Sequence, residues 1–66
     1  MKIGAKFLNQ AKKVSVKEGA SVLDVLKELK INPETVLVKK DREIVTEDEP
    51  LGAGDEIEII RVVSGG

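Results

Sequence analysis

Only one stretch of this sequence repeats its apolar residues with the period of a helix; every other patterned stretch repeats with a period of two. From Ser21 onward, Val22, Val25, Leu26 and Leu29 fall within an arc of about 100°, with Leu23 at its margin and Asp24, Lys27 and Glu28 opposite. Ser21 is a natural N-cap, and Asp24 three residues on supplies a capping-box partner and negative charge in the first turn. Asn32-Pro33 stops the helix, because Pro cannot continue it and disfavours α geometry just before itself. The pattern predicts a single amphipathic helix of about ten residues, roughly 15 Å long.

Strands surround it. Met1 to Leu8 alternates Ile3, Ala5 and Phe7 against Lys2, Gly4 and Lys6, and Lys13 to Lys17 alternates again after turn material at Asn9-Gln10. Gly4 inside the first strand suggests a bulge or a close backbone approach. Thr35 to Val38 reads as a third strand, apolar on both faces, followed by a turn at Lys40-Asp41-Arg42 with Lys39-Lys40 exposed. Glu43 to Val45 is a short fourth strand, Thr46 to Pro50 an acidic loop, and Leu51 a return to the core. After a turn at Gly52 to Asp55, Glu56 to Val63 is the longest strand. The order β-β-α-β-β-β, with one helix, predicts an α+β fold in which the helix crosses one face of a mixed sheet. The helical residues Val22, Val25, Leu26 and Leu29 then pack against Ile3, Phe7, Val14, Val16, Ile57 and Ile59.

Sixty-six residues allow one small domain, and a chain of that size buries only roughly 60% of the surface its unfolded form exposes. No Cys, His, Trp or Tyr is present, which excludes disulfides, thiolate nucleophiles, Cys/His zinc sites and imidazole acid–base chemistry. Catalysis would fall to carboxylates, lysines and Ser15, Ser21 and Ser64, so the reading is of a protein that is not itself an enzyme. No apolar run approaches the ~18 residues of a membrane span and no leader pattern opens the sequence, which points to the cytoplasm.

With 11 basic and 12 acidic side chains the net charge is −1, which argues against nucleic acid or a membrane surface as partner. The charges are segregated: residues 1–17 hold five lysines and no acid, residues 43–58 seven acids and no base. Either a basic face meets a nucleic acid or an acidic protein, or the first and last strands are neighbours with Lys2 and Lys6 opposite Glu56 and Glu58. Glu47-Asp48-Glu49 lacks the alternating ligands and turn glycine of a calcium loop, so no metal site is expected. Gly52-Ala53-Gly54 precedes a strand rather than opening a helix, which removes a phosphate cradle.

The last residues are Ser64-Gly65-Gly66, directly after the most apolar strand. At ~7% glycine usage two glycines fill two given positions in about one chain in two hundred. Without Cβ atoms such a tail can thread a narrow channel and deliver its carboxylate to a nucleotide held by another enzyme. In the strand before it, Ile57 and Ile59 share the helix-facing parity, whereas Ile60 and Val62 share the outward parity of Glu56 and Glu58. Those two either pack on Leu8 or the third strand, or form with Arg61 a surface for a partner. The expected organisation is one domain over residues 1–63 with 64–66 as a flexible tail.

The stretch from Ile31 to Gly66 resembles the ubiquitin-like sulfur-carrier family, through Leu51, Gly54-Asp55-Glu56-Ile57-Glu58 and the ending Val62-Val63-Ser64-Gly65-Gly66. That family includes the thiamine-pathway sulfur carrier, the small subunit of molybdopterin synthase and the small archaeal ubiquitin-like modifiers. Where many members have an Asn-Gly or Asp-Gly turn, this chain has Asp41-Arg42. The resemblance implies a β-grasp fold and a monomer with no bound cofactor. It implies that a ubiquitin-activating-type enzyme uses ATP to adenylate Gly66, aided by recognition of Ser64 and Gly65 and a grip on Ile60, Arg61 and Val62. A sulfur donor then displaces AMP to leave a thiocarboxylate, whose sulfur passes to a synthase in thiamine or molybdopterin assembly or to a tRNA base. Alternatively the activated Gly66 is joined to lysines of target proteins, or the domain is a plain adaptor with an idle tail.

Overall fold

The computed structural model describes residues 1–62. Five strands form one mixed sheet in the order β2-β1-β5-β3-β4. They are β1 (Lys2–Phe7), β2 (Gln10–Ser15), β3 (Val36–Lys40), β4 (Glu43–Val45) and β5 (Glu56–Arg61). The helix α1 (Val22–Glu28) lies between β2 and β3 in the chain, and a short 3-10 turn covers Pro33–Thr35. The central pair β1 and β5 is parallel; every other pairing is antiparallel.

Alternation sets what is buried. Ile3 and Ala5 of β1, Val14 of β2, Val36 and Val38 of β3, and Ile57 and Ile59 of β5 join Val22, Val25 and Leu26 of the helix in one core. Leu51 completes it, as its return from the acidic loop predicts. Phe7, Val16 and Leu29 are half-buried at its margin rather than enclosed.

Both hairpins close on two-residue turns whose residues all have positive φ, as type I′ turns require. These are Leu8 (52°) with Asn9 (63°), and Asp41 (53°) with Arg42 (68°). The first turn therefore sits one residue earlier than Asn9-Gln10, and β2 begins at Gln10 rather than Lys13. Leucine is among the residues that resist this conformation, so the sequence carries no turn signal at Leu8.

The helix is also shorter than its periodicity suggests, seven residues instead of about ten. Lys30 turns into the left-handed region at φ 60°, its N–H meets the Lys27 carbonyl at 3.0 Å, and the Ile31 N–H reaches back to Leu26 at 2.9 Å. This paired closure is a Schellman motif, and it ends the helix before Asn32-Pro33 is reached. Asn32 instead caps the 3-10 turn by accepting from the Glu34 N–H at 2.9 Å, which places Thr35 in that turn and starts β3 at Val36.

At the other end of the helix, the Asp24 carboxylate accepts from the Ser21 N–H at 2.9 Å, the box partner the sequence suggested. The acidic loop supplies the rest: Val22 and Leu23 donate to the carbonyls of Glu49 and Glu47 at 3.0 and 2.8 Å. Residues 46–50 thus satisfy helix donors that would otherwise need water.

Candidate functional site

β3 is apolar on both faces in sequence but buried on one only. Between buried Val36 and Val38, Leu37 is 42% exposed on the side away from the helix. Its cross-strand partner is Ile60 of β5, 36% exposed. Ile44 of β4, 63% exposed, pairs with Lys39 on the same face. Three branched apolar side chains from β5, β3 and β4 therefore share the outer face toward the end of β5, Leu37 and Ile60 in one row and Ile44 diagonal to them at the end of the next, which runs on through Lys39, Glu58 and Lys6. Among the described residues the remaining exposed large apolar side chain is Leu8, at the β1–β2 turn.

Ile60 stands where its parity placed it. Arg61 is exposed but has the parity of Ile57 and Ile59, and Val62 is half-buried with its N–H donating to the Thr35 carbonyl at 2.9 Å. The expected tail residues Ser64, Gly65 and Gly66, and the boundary at 63, lie outside the described residues. Leu37 and Ile44 were not singled out from sequence; recognising them requires the strand order β5-β3-β4, which local alternation does not contain.

The expected charge ladder is half right. Lys6 does stand opposite Glu58, but Glu56 faces Gly4 rather than Lys2. A Cβ on Gly4 would lie 3.1 Å from the Glu56 Cγ, so this glycine marks a close cross-strand approach, and β1 pairs in regular register on both sides.

Lys39 and Lys40 are not an exposed turn. Both close β3 and are half-buried, because the turn proper is Asp41-Arg42. The Lys40 Nζ lies 3.4 Å from Asp55 and 3.5 Å from Glu49, and donates to the Pro50 carbonyl at 3.3 Å. Partial burial opposes its charge, but Asp55 and Glu49 outweigh that and raise its pKa. Asp55 accepts from the Gly52 N–H at 2.7 Å, and that bond first, with Lys40, holds its carboxyl below the ordinary value. The cluster ties the end of β3 to the acidic loop and to the turn that launches β5, which is a structural task. Among the described residues no group of acidic side chains could hold a metal ion, and no helix is long and apolar enough to cross a membrane.

Among the described residues the arrangement offers a contact surface: an apolar patch beside the strand that precedes the two glycines of the sequence. Comparison with known proteins agrees. Residues 3–66 match the family described as the ThiS family. The sulfur carrier protein TtuB of Thermus thermophilus is 36% identical over 59 residues, covering 89% of this chain and 91% of that protein. An uncharacterised protein of Archaeoglobus fulgidus is 41% identical over 68 residues, covering 100% of each. Among solved structures, SAMP1 from Haloferax volcanii superposes with a TM-score of 0.77 at 24% identity, over 100% of both chains. The thiamine biosynthesis protein ThiS from Geobacter metallireducens does so with a TM-score of 0.70 at 22% identity, again over 100% of both. Those two likenesses confirm the β-grasp fold, a mixed five-stranded sheet with one helix across it.

Proposed function

This chain belongs to the ThiS family of ubiquitin-like sulfur carriers, and we propose that Gly66 is the residue on which it carries sulfur. The observation that supports this most is that the family match runs through residue 66, so the two glycines fall within the matched region. A carboxylate is a poor electrophile with no leaving group, and this chain has no Cys or His with which to change that. A separate adenylating enzyme would supply ATP: the Gly66 carboxylate attacks the α-phosphorus, pyrophosphate leaves, and an acyl adenylate remains. A sulfide-level donor then displaces AMP and leaves a thiocarboxylate for a sulfur-accepting synthase.

Two features suit the protein to this role. β5 is held between β1 and β3, and the Val62 N–H is bonded to Thr35, so the last described residue is fixed to the sheet. Four more residues reach at most ~14 Å, enough to carry a carboxylate clear of the domain into another enzyme. The patch of Leu37, Ile44 and Ile60 beside that exit is the surface the adenylating enzyme grips, with Ser64 and Gly65 read along the channel.

Pyrophosphate exchange with the cognate activating enzyme tests the first step. Deleting Gly66 abolishes exchange while leaving stability nearly unchanged, and Gly65→Ala slows it through a Cβ clash in the channel. Wild-type exchange without Gly66 would overturn the reading and leave an adaptor domain. Intact-mass analysis of protein from its native cell then separates the outcomes that share activation: one oxygen replaced by sulfur marks the carrier, lysine-linked adducts mark a protein modifier.

A further inference from the structure

The helix side of the sheet is not fully covered. A seven-residue helix is ~10 Å long, and it shields β2 only at Val14; Lys12 and Gln10, which share that face, are exposed. The uncovered part of the β1–β2 hairpin and the chain leaving the helix enclose a groove of about 300 Å³. Ala5, Phe7, Leu29 and Ile31 give it an apolar lining, with Lys12 on the β2 side. Leu8 also borders it, an exposed bulky residue held at φ 52°, a conformation such side chains rarely adopt.

The groove runs beside a free sheet edge. β2 is the outermost strand, and its bonding pattern follows from its first pair: the Met1 ammonium donates to the Val16 carbonyl at 2.6 Å, and the Val16 N–H to Met1 at 2.9 Å. Alternation then makes Ile3/Val14, Ala5/Lys12 and Phe7/Gln10 the bonded pairs. The N–H and C=O groups of Ala11, Lys13 and Ser15 consequently point away from β1, an open row for another strand. Lys12 and Lys13 stand on opposite faces of this edge, and among the described residues neither has an ion-pair partner. No acid occurs anywhere in residues 1–17.

We propose that the β2 edge and this groove hold an extended segment of a partner protein in which apolar and acidic residues alternate. The segment adds to the sheet as a sixth strand through the backbone of Ala11, Lys13 and Ser15. Its apolar side chains enter the groove beside the Lys12 stem, and its carboxylates, which alternation puts on the opposite face, meet Lys13. A second copy of this chain is a poor occupant in edge-to-edge pairing of β2, because it brings the same lysines. The site is separate from the outer patch of Leu37, Ile44 and Ile60 and does not depend on activation of Gly66. It lets a second protein be held while the outer face is engaged.

Titration of the isotope-labelled full chain with a synthetic peptide of alternating Val and Glu, followed by amide NMR, tests this. Saturable shifts are expected at Ala11, Lys13 and Ser15 and at Phe7, Leu29 and Ile31, weakened by salt and absent with the matching Val/Lys peptide. Ala11→Pro removes an outward donor without touching a β1 bond and should weaken binding about tenfold or more. The reversal Lys13→Glu should weaken the Glu peptide about fivefold and favour the Lys peptide; it keeps the test decisive if Ala11→Pro unfolds. No shifts at millimolar peptide, or shifts confined to Leu37, Ile44 and Ile60, would overturn the proposal. Shifts of the same edge amides on simply concentrating the chain would overturn it in favour of a second copy.

Discussion

The two faces of the sheet are built from the same strands by alternate residues, yet they obey different rules. Toward the helix, Ile3, Val14, Val38, Ile57 and Ile59 are enclosed, and each such burial contributes roughly 1.5–3 kcal/mol. Away from the helix, charged residues take half of the strand positions, and the large apolar ones gather toward the end of β5, beside β3 and β4. Leu37 and Ile60 are only partly buried there, with 42% and 36% of their surface left to water. Their apolar area is unspent in the monomer and available to a partner. Burial explains one face; on the other, Ile60 packs against Leu37 of the third strand and leaves the apolar area that the proposed partner would use.

The largest effect that could break this comparison is at Leu26, 1% exposed beneath the helix. Leu26→Ala should cost about 2–5 kcal/mol, a large part of what so small a domain has, while Leu37→Ala should cost about 1 kcal/mol. Urea unfolding of the two variants side by side measures the contrast. Equal losses would mean that the outer face is part of the core.

The next effect runs the other way. Ile60→Glu should leave the urea midpoint nearly unchanged, because the side chain can turn its carboxylate to water, yet weaken binding to the activating enzyme by about tenfold or more. Calorimetry with that enzyme reads the loss. A collapsed fold without a specific binding defect would place Ile60 in the core.

How much of this was legible in the sequence follows the range of the forces involved. The helix, the alternation of β1 and β5, the turn at Gly52 to Asp55 and the outward placing of Ile60 depend on neighbours a few residues away, and each could be read directly. The turn at Leu8-Asn9 and the helix stop at Lys30 could not, and the turn read at Lys40-Asp41-Arg42 narrowed to Asp41-Arg42. In each, a residue with a Cβ occupies a left-handed position that glycine would have announced. Register was the other blind spot: a shift of Glu56 from Lys2 to Gly4 needs the strand pairing itself, as does the assembly of Leu37, Ile44 and Ile60 into one patch. Lys40 looked like a turn residue because its partner Asp55 is far along the chain.

That Lys40–Asp55 contact offers a smaller test, at the rim where the core ends and solvent begins. Asp55 binds its proton less tightly in the folded chain than in the unfolded one, chiefly through the Gly52 N–H. The unfolded state therefore takes up more protons in acid, and stability rises with pH. The contribution is whole above the ordinary value of 3.8 and is lost as pH falls through the lower folded value. Asp55→Asn should flatten the acid limb of urea midpoint against pH. Some slope should remain from Asp24, lowered in the same direction by the Ser21 N–H. An unchanged limb would mean that Asp55 is not held as the geometry shows.

The smallest expected effect belongs to neither face. Lys30 closes the helix in the left-handed region, where a Cβ costs energy whatever the side chain touches. Its side chain is exposed, so Lys30→Gly removes no packing and spares the Schellman bonds of Lys30 and Ile31, which are made by the backbone. Relief of that strain, less the extra freedom glycine gives the unfolded chain, should stabilise by about 0.5–1 kcal/mol. In a domain of this size that raises the melting temperature by about 3–6 °C. Lys30→Ala supplies the control: it trims the side chain but keeps the Cβ, and should show no such gain. If both variants gained equally, the benefit would come from losing a charge, and strain at the helix stop would not be the reason.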